Sequence, residues 1–213
     1  RNGTITFVES ENKVYGITCW HVIEQLMEYT SKSGNEDSHS LFTMVNGFNC
    51  IQNKFIRPKS NTMNTVVDIA IRELNPQLIL AIGKKALNVD IISEPNSLEF
   101  GYVVGFAETK RYKKKIARGY IISMPQTEIL AEIDGMPIVK FTLHSEFKKV
   151  PEVIDYSGIS GGPIFWCDGK EYGIFGIVYE GGTGGSLTKN KGIFVYGELA
   201  TPSEIKYWIS QIK

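Results

Sequence analysis

The sequence predicts an all-β protein that ends in one α-helix. Short segments rich in β-branched and aromatic residues recur along the 213 residues, and turn-forming residues separate them. The clearest helix signal lies in residues 201–213. A series of short strands with turns between them is typical of a β-sandwich or of a pair of β-barrels.

The predicted strands are distributed over the whole chain. They comprise residues 4–10, 14–18, 65–74, 100–108, 116–124, 137–143, 162–167, 172–180 and 191–199. The first two flank a predicted hairpin turn at Glu11–Lys13. The fourth and fifth are predicted to form a hairpin with a lysine-rich tip. The polar loop at 31–40 and the glycine-rich loop at 181–190 match no phosphate-binding or dinucleotide-binding motif.

Two helices are predicted. The first covers residues 22–30, directly after His21. The second begins with a capping box at residues 201–204, in which proline occupies the first helical position. Its apolar residues recur at i, i+3, i+4 and i+7 and form one stripe, which we expect to dock onto the rest of the domain. The stripe consists of Ile205, Trp208, Ile209 and Ile212.

Composition excludes several classes of protein. The apolar share is 42%, the charged share is 22% and the formal net charge is zero, as in ordinary soluble domains. We expect no nucleic-acid partner, because the basic run at 110–115 lacks regularly interleaved aromatic residues and is interpreted as a solvated hairpin tip. We expect no membrane partner, since no apolar run reaches about 20 residues. A cytoplasmic location is also expected. Because the sequence starts at Arg1, the missing secretory signal carries little weight.

The cysteines argue against a disulfide framework and against a zinc motif. Cys19, Cys50 and Cys167 are odd in number, widely spaced and without a Cys-x-x-Cys pair. Free, buried thiols in a reducing compartment are the simplest interpretation.

The segment "SGISGGP" surrounds Ser160 with glycines and suggests a nucleophile. A serine hydroxyl needs a base to remove its proton, and the oxyanion that forms needs N–H donors already in place. Glycine permits the backbone bend that makes such donors converge. Gly158 and Ser160 are the predicted donors. The alternative interpretation of Ser160 is a structural turn.

Chain order decides which kind of serine hydrolase the segment fits. It also matches the nucleophile elbow of α/β-hydrolases, but that fold needs a histidine after the serine, and none occurs beyond His144. The subtilisin order needs an acidic residue before the histidine, and no aspartate precedes His21. The order His21, Asp68, Ser160 remains. An aspartate among β-branched neighbours needs a hydrogen-bond partner, which an imidazole N–H supplies. His39 and His144 are expected to face solvent.

The segments "GITCWHV", "VVDIAI" and "SGISGGPIF" resemble the three motifs of the chymotrypsin-like (trypsin-like) serine proteases. The resemblance implies one peptidase domain, 1–213, built of two six-stranded antiparallel β-barrels. The N-terminal lobe is 1–95, the C-terminal lobe is 96–200 and the closing helix is 201–213. It implies a serine endopeptidase that works through an acyl-enzyme, with His21 as base, Asp68 orienting it and Ser160 as nucleophile. No metal or organic cofactor is implied.

The sequence departs from secreted members of that family. Ile159 stands where their activation aspartate lies, and Cys19 stands where alanine is usual. The pattern is closer to bacterial and intracellular trypsin-like peptidases, some of which are domains of stress or anti-phage defence proteins. This implies a regulated protease with a protein or peptide substrate and an activating partner or neighbouring domain. Two rivals stay open, a catalytically silent module that binds peptides or partner proteins, and a latent protease.

The resemblance also assigns the first-subsite pocket. Its walls are Ile154, Asp155 and Tyr156 on one side and Tyr179, Glu180 and Gly181 on the other. Asp155 and Glu180 favour a basic substrate side chain through charge-assisted hydrogen bonds. The alternative is that either carboxylate faces solvent or holds a loop.

Overall fold

The structure, a computed structural model, describes most of the chain. The described residues are 3–33, 39–43, 47–51, 54–95, 99–107, 112–116, 119–123, 127–134, 140–146, 156–183 and 192–212. The helices of this part are α1 (Trp20–Ser33), α2 (Pro76–Ala81) and α3 (Pro202–Ser210). The strands are β1 (Thr6–Ser10), β2 (Lys13–Cys19), β3 (His39–Thr43), β4 (Gly47–Ile51), β5 (Ile69–Leu74), β6 (Leu87–Asn88), β7 (Phe100–Gly105), β8 (Tyr112–Ile116), β9 (Gly119–Ser123), β10 (Thr127–Asp134), β11 (Lys140–Glu146), β12 (Pro163–Cys167), β13 (Tyr172–Thr183) and β14 (Gly192–Leu199).

The first sheet has the order β5–β2–β1–β6. β1 and β2 form the predicted hairpin, in which Ser10 pairs with Lys13. The turn residues Glu11 and Asn12 have positive φ angles of 50° and 59°. Two such residues in succession are the mark of a type I′ turn, whose twist matches that of the flanking strands. The predicted turn is therefore confirmed, and β2 is fixed between β1 and β5.

The second sheet contains six strands in the order β10–β11–β14–β13–β12–β7. Because β7 also pairs with β10, the ladder of pairings closes on itself. Two further pairs, β3–β4 and β8–β9, form separate hairpins. The all-β class with a C-terminal helix is thus confirmed. Two six-stranded barrels are not, since the first sheet has four strands among the described residues.

The predicted hairpin between residues 100–108 and 116–124 is wrong. β7 pairs with β10 and β12 instead, and residues 113–115 of the supposed tip lie in β8. The reason is burial. β7 buries alternate residues in the second sheet, whereas Lys113 and Lys115 of β8 are exposed and have no place in that core.

Several predicted boundaries also shift. The first helix starts at Trp20, so His21 lies inside its first turn, and it continues to Ser33. His39 begins β3 and does not lie in a loop. The strand predicted at 65–74 begins only at Ile69. Asp68 therefore precedes the strand, where its side chain is free to turn toward α1.

α3 packs against residues of both sheets, as the predicted docking stripe requires. Thr201 caps the helix, and its side chain accepts a hydrogen bond from the N–H of Glu204. Ile205 and Trp208 are fully buried in a cluster that includes Ile17 of the first sheet and Ile177 of the second. Burial of each such side chain stabilises the fold by roughly 1.5–3 kcal/mol. None of the helices in the described ranges has the length and apolar character needed to cross a membrane.

Candidate active site

His21 and Asp68 are brought together by the pairing of β2 with β5. Cys19, the last residue of β2, pairs with Ile69, the first residue of β5. The next residues continue this contact, since the N–H of Trp20 donates to the carbonyl oxygen of Asp68 over 3.1 Å. His21 and Asp68 thus lie side by side where the two strands separate.

The carboxylate of Asp68 holds His21 at two points. Its Oδ1 accepts a hydrogen bond of 3.1 Å from the His21 backbone N–H. Its Oδ2 lies 2.6 Å from Nδ1 of the imidazole. An ionised carboxylate can only accept, so Nδ1 carries the proton. In the neutral imidazole, Nε2 is then left with a lone pair and can act as a base.

A residue of the second sheet also contacts Asp68. The backbone N–H of Asp68 donates to Oε1 of Glu198 over 3.3 Å. Glu198 belongs to β14 and is fully buried. A buried carboxyl group is costly unless it is hydrogen-bonded, and this contact supplies one of its partners. Glu198 is a site residue that the sequence analysis missed, since a single acidic residue near the end of an apolar strand gives no distinctive pattern.

Ser160 lies in a tight double turn between residues 156 and 162. The N–H of Ile159 donates to Tyr156 O over 3.2 Å, and the N–H of Gly162 donates to Ile159 O over 2.8 Å. Gly158 has a φ of 95°, which a non-glycine residue rarely adopts. Within the described residues, the N–H groups of Gly158 and Ser160 donate to no other protein group. They are therefore available to an oxyanion.

The turn that holds Ser160 and the end of β2 are joined through a carbonyl oxygen that accepts hydrogen bonds from both. The carbonyl oxygen of Val178 accepts from Gly161 N over 2.7 Å and from the Cys19 thiol over 3.0 Å. The carbonyl oxygen of Ser160 accepts from the N–H of Thr4 over 2.8 Å. Since Cys19 is two residues before His21, the serine and the histidine approach the same part of β13.

The hydroxyl of Ser160 does not donate to His21 in this conformation. Its Oγ donates to the carbonyl oxygen of Tyr179 over 2.9 Å. Tyr179 follows Val178 directly, so the hydroxyl is turned toward the neighbouring carbonyl of the same strand. A change of one side-chain rotamer would move it to another staggered position.

Only part of the predicted first-subsite pocket is described. Ile154 and Asp155 lie outside the described residues. Tyr156 is buried, and burial raises the pKa of its hydroxyl. Gly181 lies beside it, because a Cβ atom at Gly181 would come within 3.3 Å of Tyr156 Cβ. Glu180 is exposed.

Tyr179 is half-buried, with the centroid of its ring 5.9 Å from that of Tyr196.

The cysteines and the other two histidines differ in exposure and in whether their side chains are described. Cys19 is fully buried, as expected, whereas Cys167 is exposed and contradicts the prediction that the thiols are buried. It lies at the end of β12, where the chain turns into a solvated loop. The side chains of Cys50, His39 and His144 lie outside the described residues.

The comparisons with known proteins add no assignment to this geometry. A scan against models of protein families found no match, and a search of curated proteins found none either.

Proposed function

We propose that the protein is a serine endopeptidase with the two-barrel fold of the chymotrypsin-like proteases. The observation that carries the proposal is the two-point contact between Asp68 and His21. It fixes the imidazole in the tautomer whose Nε2 is a base. The turn that holds Ser160 is hydrogen-bonded to β13, and it carries two N–H groups suited to an oxyanion.

Attack begins with the Ser160 hydroxyl. It leaves the carbonyl of Tyr179, turns toward His21 and gives its proton to Nε2 as Oγ bonds to the scissile carbonyl carbon. The carbonyl electron pair moves to oxygen, and the N–H groups of Gly158 and Ser160 stabilise that charge. Asp68 stabilises the imidazolium that has formed.

Collapse of the tetrahedral intermediate completes acylation. The C–N bond breaks, and His21 donates the proton from Nε2 to the leaving amine. Water then attacks the acyl-enzyme with His21 again as base, and Ser160 is released with its proton restored. No step requires a group from outside the chain other than water and substrate.

Substrate preference is a finer part of the proposal. Glu180 is an exposed carboxylate on the strand that contains Tyr179 and Gly181. A carboxylate at this position would pair with an arginine or lysine side chain. A peptide-library cleavage profile tests the preference for arginine or lysine. An unchanged profile in Glu180→Gln would show that Glu180 does not contribute to substrate recognition.

A fluorophosphonate probe tests the activity itself, because it forms a bond only with an activated serine. We expect the wild type to be labelled and Ser160→Ala to be unlabelled. Ser210→Ala is the matched control, since this exposed serine of α3 donates a hydrogen bond to the carbonyl oxygen of Tyr207 in its own helix. Its labelling should equal that of the wild type.

A silent peptide-binding module is the second candidate, and the hydrogen bond from Ser160 to Tyr179 favours it. Absence of labelling in folded wild-type protein would support this module and contradict the peptidase. Labelling that persists in Ser160→Ala would also contradict the assignment of the nucleophile.

A further inference from the structure

Three groups that bind metal ions converge at the end of β2. The Sγ of Cys19, a ring nitrogen of His21 and a carboxylate oxygen of Asp68 all lie within 4.8 Å of one another. The strand pairing that places Cys19 opposite Ile69 fixes this proximity. Cys19 is outside any disulfide and fully buried, while His21 and Asp68 are partly exposed.

The spacing is close to what a tetrahedral ion requires. With bonds of about 2.0–2.3 Å, neighbouring ligand atoms lie about 3.3–3.8 Å apart. The Nδ1 atom of His21 and Oδ2 of Asp68, at 2.6 Å, are closer than this. The other separations, which are within 4.8 Å, need to shorten by at most about 1.5 Å. Side-chain rotations of this size would bring the three ligand atoms around one ion. Since the His21 and Asp68 side chains are partly exposed, a water from solvent would be the fourth ligand.

Charge favours a divalent ion at this site. On binding, the Cys19 thiol gives up its proton to solvent, and its hydrogen bond to Val178 O is replaced by a sulfur–metal bond. The proton on Nδ1 of His21 passes through solvent to Nε2, so that the Nδ1 lone pair is available to the ion and the imidazole stays neutral. One thiolate and one carboxylate then balance the two positive charges, with His21 as the neutral third ligand. Thiolate and imidazole ligands select zinc-like ions over magnesium or calcium.

We propose that Cys19, His21 and Asp68 bind a thiophilic divalent cation such as Zn²⁺, and that its binding blocks the proposed proton transfer. The blocking effect rests on the proposed function, but the binding does not. An ion held by these residues replaces the contact between His21 and Asp68 that orients the base. The site is then a reversible inhibitory switch.

Cobalt spectroscopy tests the binding without any need for activity. Co²⁺ takes the place of Zn²⁺, and a thiolate ligand gives it a near-ultraviolet charge-transfer band. The starting protein carries Cys50→Ser and Cys167→Ser, so Cys19 is its single thiol. We expect the band to saturate at one ion per chain and to disappear when Zn²⁺ is added.

Two variants decide whether Cys19 is the ligand. In the same background, Cys19→Ala should lose the near-ultraviolet band while circular dichroism shows an unchanged fold. Asp68→Asn should weaken Co²⁺ binding at least tenfold and keep the band at saturation. A folded starting protein without the band, or a band that survives Cys19→Ala, would overturn the site.

Fluorophosphonate labelling tests the inhibition separately. Zn²⁺ should suppress labelling of the wild type, and Cys19→Ala should need at least tenfold more Zn²⁺ for the same suppression. Equal sensitivity of the two proteins would refute the switch. If neither protein is labelled even without Zn²⁺, the proposed peptidase activity is contradicted. The cobalt band still decides whether the ion binds.

Discussion

Substitution of Gly161 by alanine should disrupt the contact between the Ser160 turn and the first sheet. Gly161 has a φ of 90°, and a Cβ atom there would lie 2.0 Å from the carbonyl oxygen of Thr4 and 2.3 Å from Oγ1 of Thr18. Both distances are far below van der Waals contact. Since one obstacle is backbone, the turn itself must move.

The expected loss of stability has two parts. A non-glycine residue at positive φ costs roughly 1–2 kcal/mol. Forcing extra volume into a packed site costs about 1–3 kcal/mol more. The displacement also strains the hydrogen bonds from Gly161 N to Val178 O and from the Thr6 hydroxyl to Gly161 O. We expect Gly161→Ala to lower the free energy of unfolding by about 2–5 kcal/mol, the sum of the two parts.

Gly169→Ala is the matched control, and urea denaturation is the assay. Gly169 has nearly the same φ, 89°, but a Cβ atom there would meet nothing within 4 Å. Gly169→Ala should lower the free energy of unfolding only by the cost of a non-glycine residue at positive φ, roughly 1–2 kcal/mol. The difference between the variants isolates the clash. Equal losses in the two variants would refute the close packing of Gly161 against Thr4 and Thr18.

The remaining predictions concern the base, a helix cap and acid stability. Asp68→Asn should slow fluorophosphonate labelling about 10⁴-fold, because the amide favours the wrong imidazole tautomer. A loss under tenfold would contradict the orienting role. Thr201→Ala should cost about 1 kcal/mol in urea denaturation, because it removes the acceptor for Glu204 N, whereas Thr201→Ser should be near neutral. The hydrogen bond from the N–H of Glu11 lowers the pKa of Asp90 below its usual value, and its contacts with Ser10 and Lys206 act in the same direction. Its stabilising contribution is therefore present above about pH 4 and is lost as pH falls through the lower folded-state pKa. Asp90→Asn should destabilise the protein more at neutral pH than at pH 2, and an equal effect at both pH values would show that the carboxylate does not contribute.

Features determined by neighbouring residues could be predicted from the sequence. The N-cap and apolar stripe of α3 and the Glu11–Lys13 turn depend on a few adjacent positions, and the structure has all three. The second half of the predicted capping box differs, because the Glu204 side chain accepts from Asn61 N and Trp208 Nε1. The contact between His21 and Asp68 was predicted from the order of short motifs, although Asp68 precedes its strand and does not lie within it.

Contacts between distant residues that belong to no recognisable motif could not be predicted. β7 had several possible neighbours, and only the closure of the six-stranded ladder selects β10 and β12. The contact of Glu198 with Asp68 spans 130 residues and leaves no local pattern. The direction of the Ser160 hydroxyl depends on the carbonyl of Tyr179, which sequence reasoning does not position.

The hydrogen bond from Thr4 to Gly158 joins positions 154 residues apart. Such distant contacts form late, because a long stretch of polymer must be ordered before they are gained. A growing polypeptide on the ribosome would therefore carry the histidine and aspartate pair well before the serine turn is translated and docked. Under the proposed mechanism, the nucleophile can therefore meet its base only after nearly the whole of this sequence has been translated.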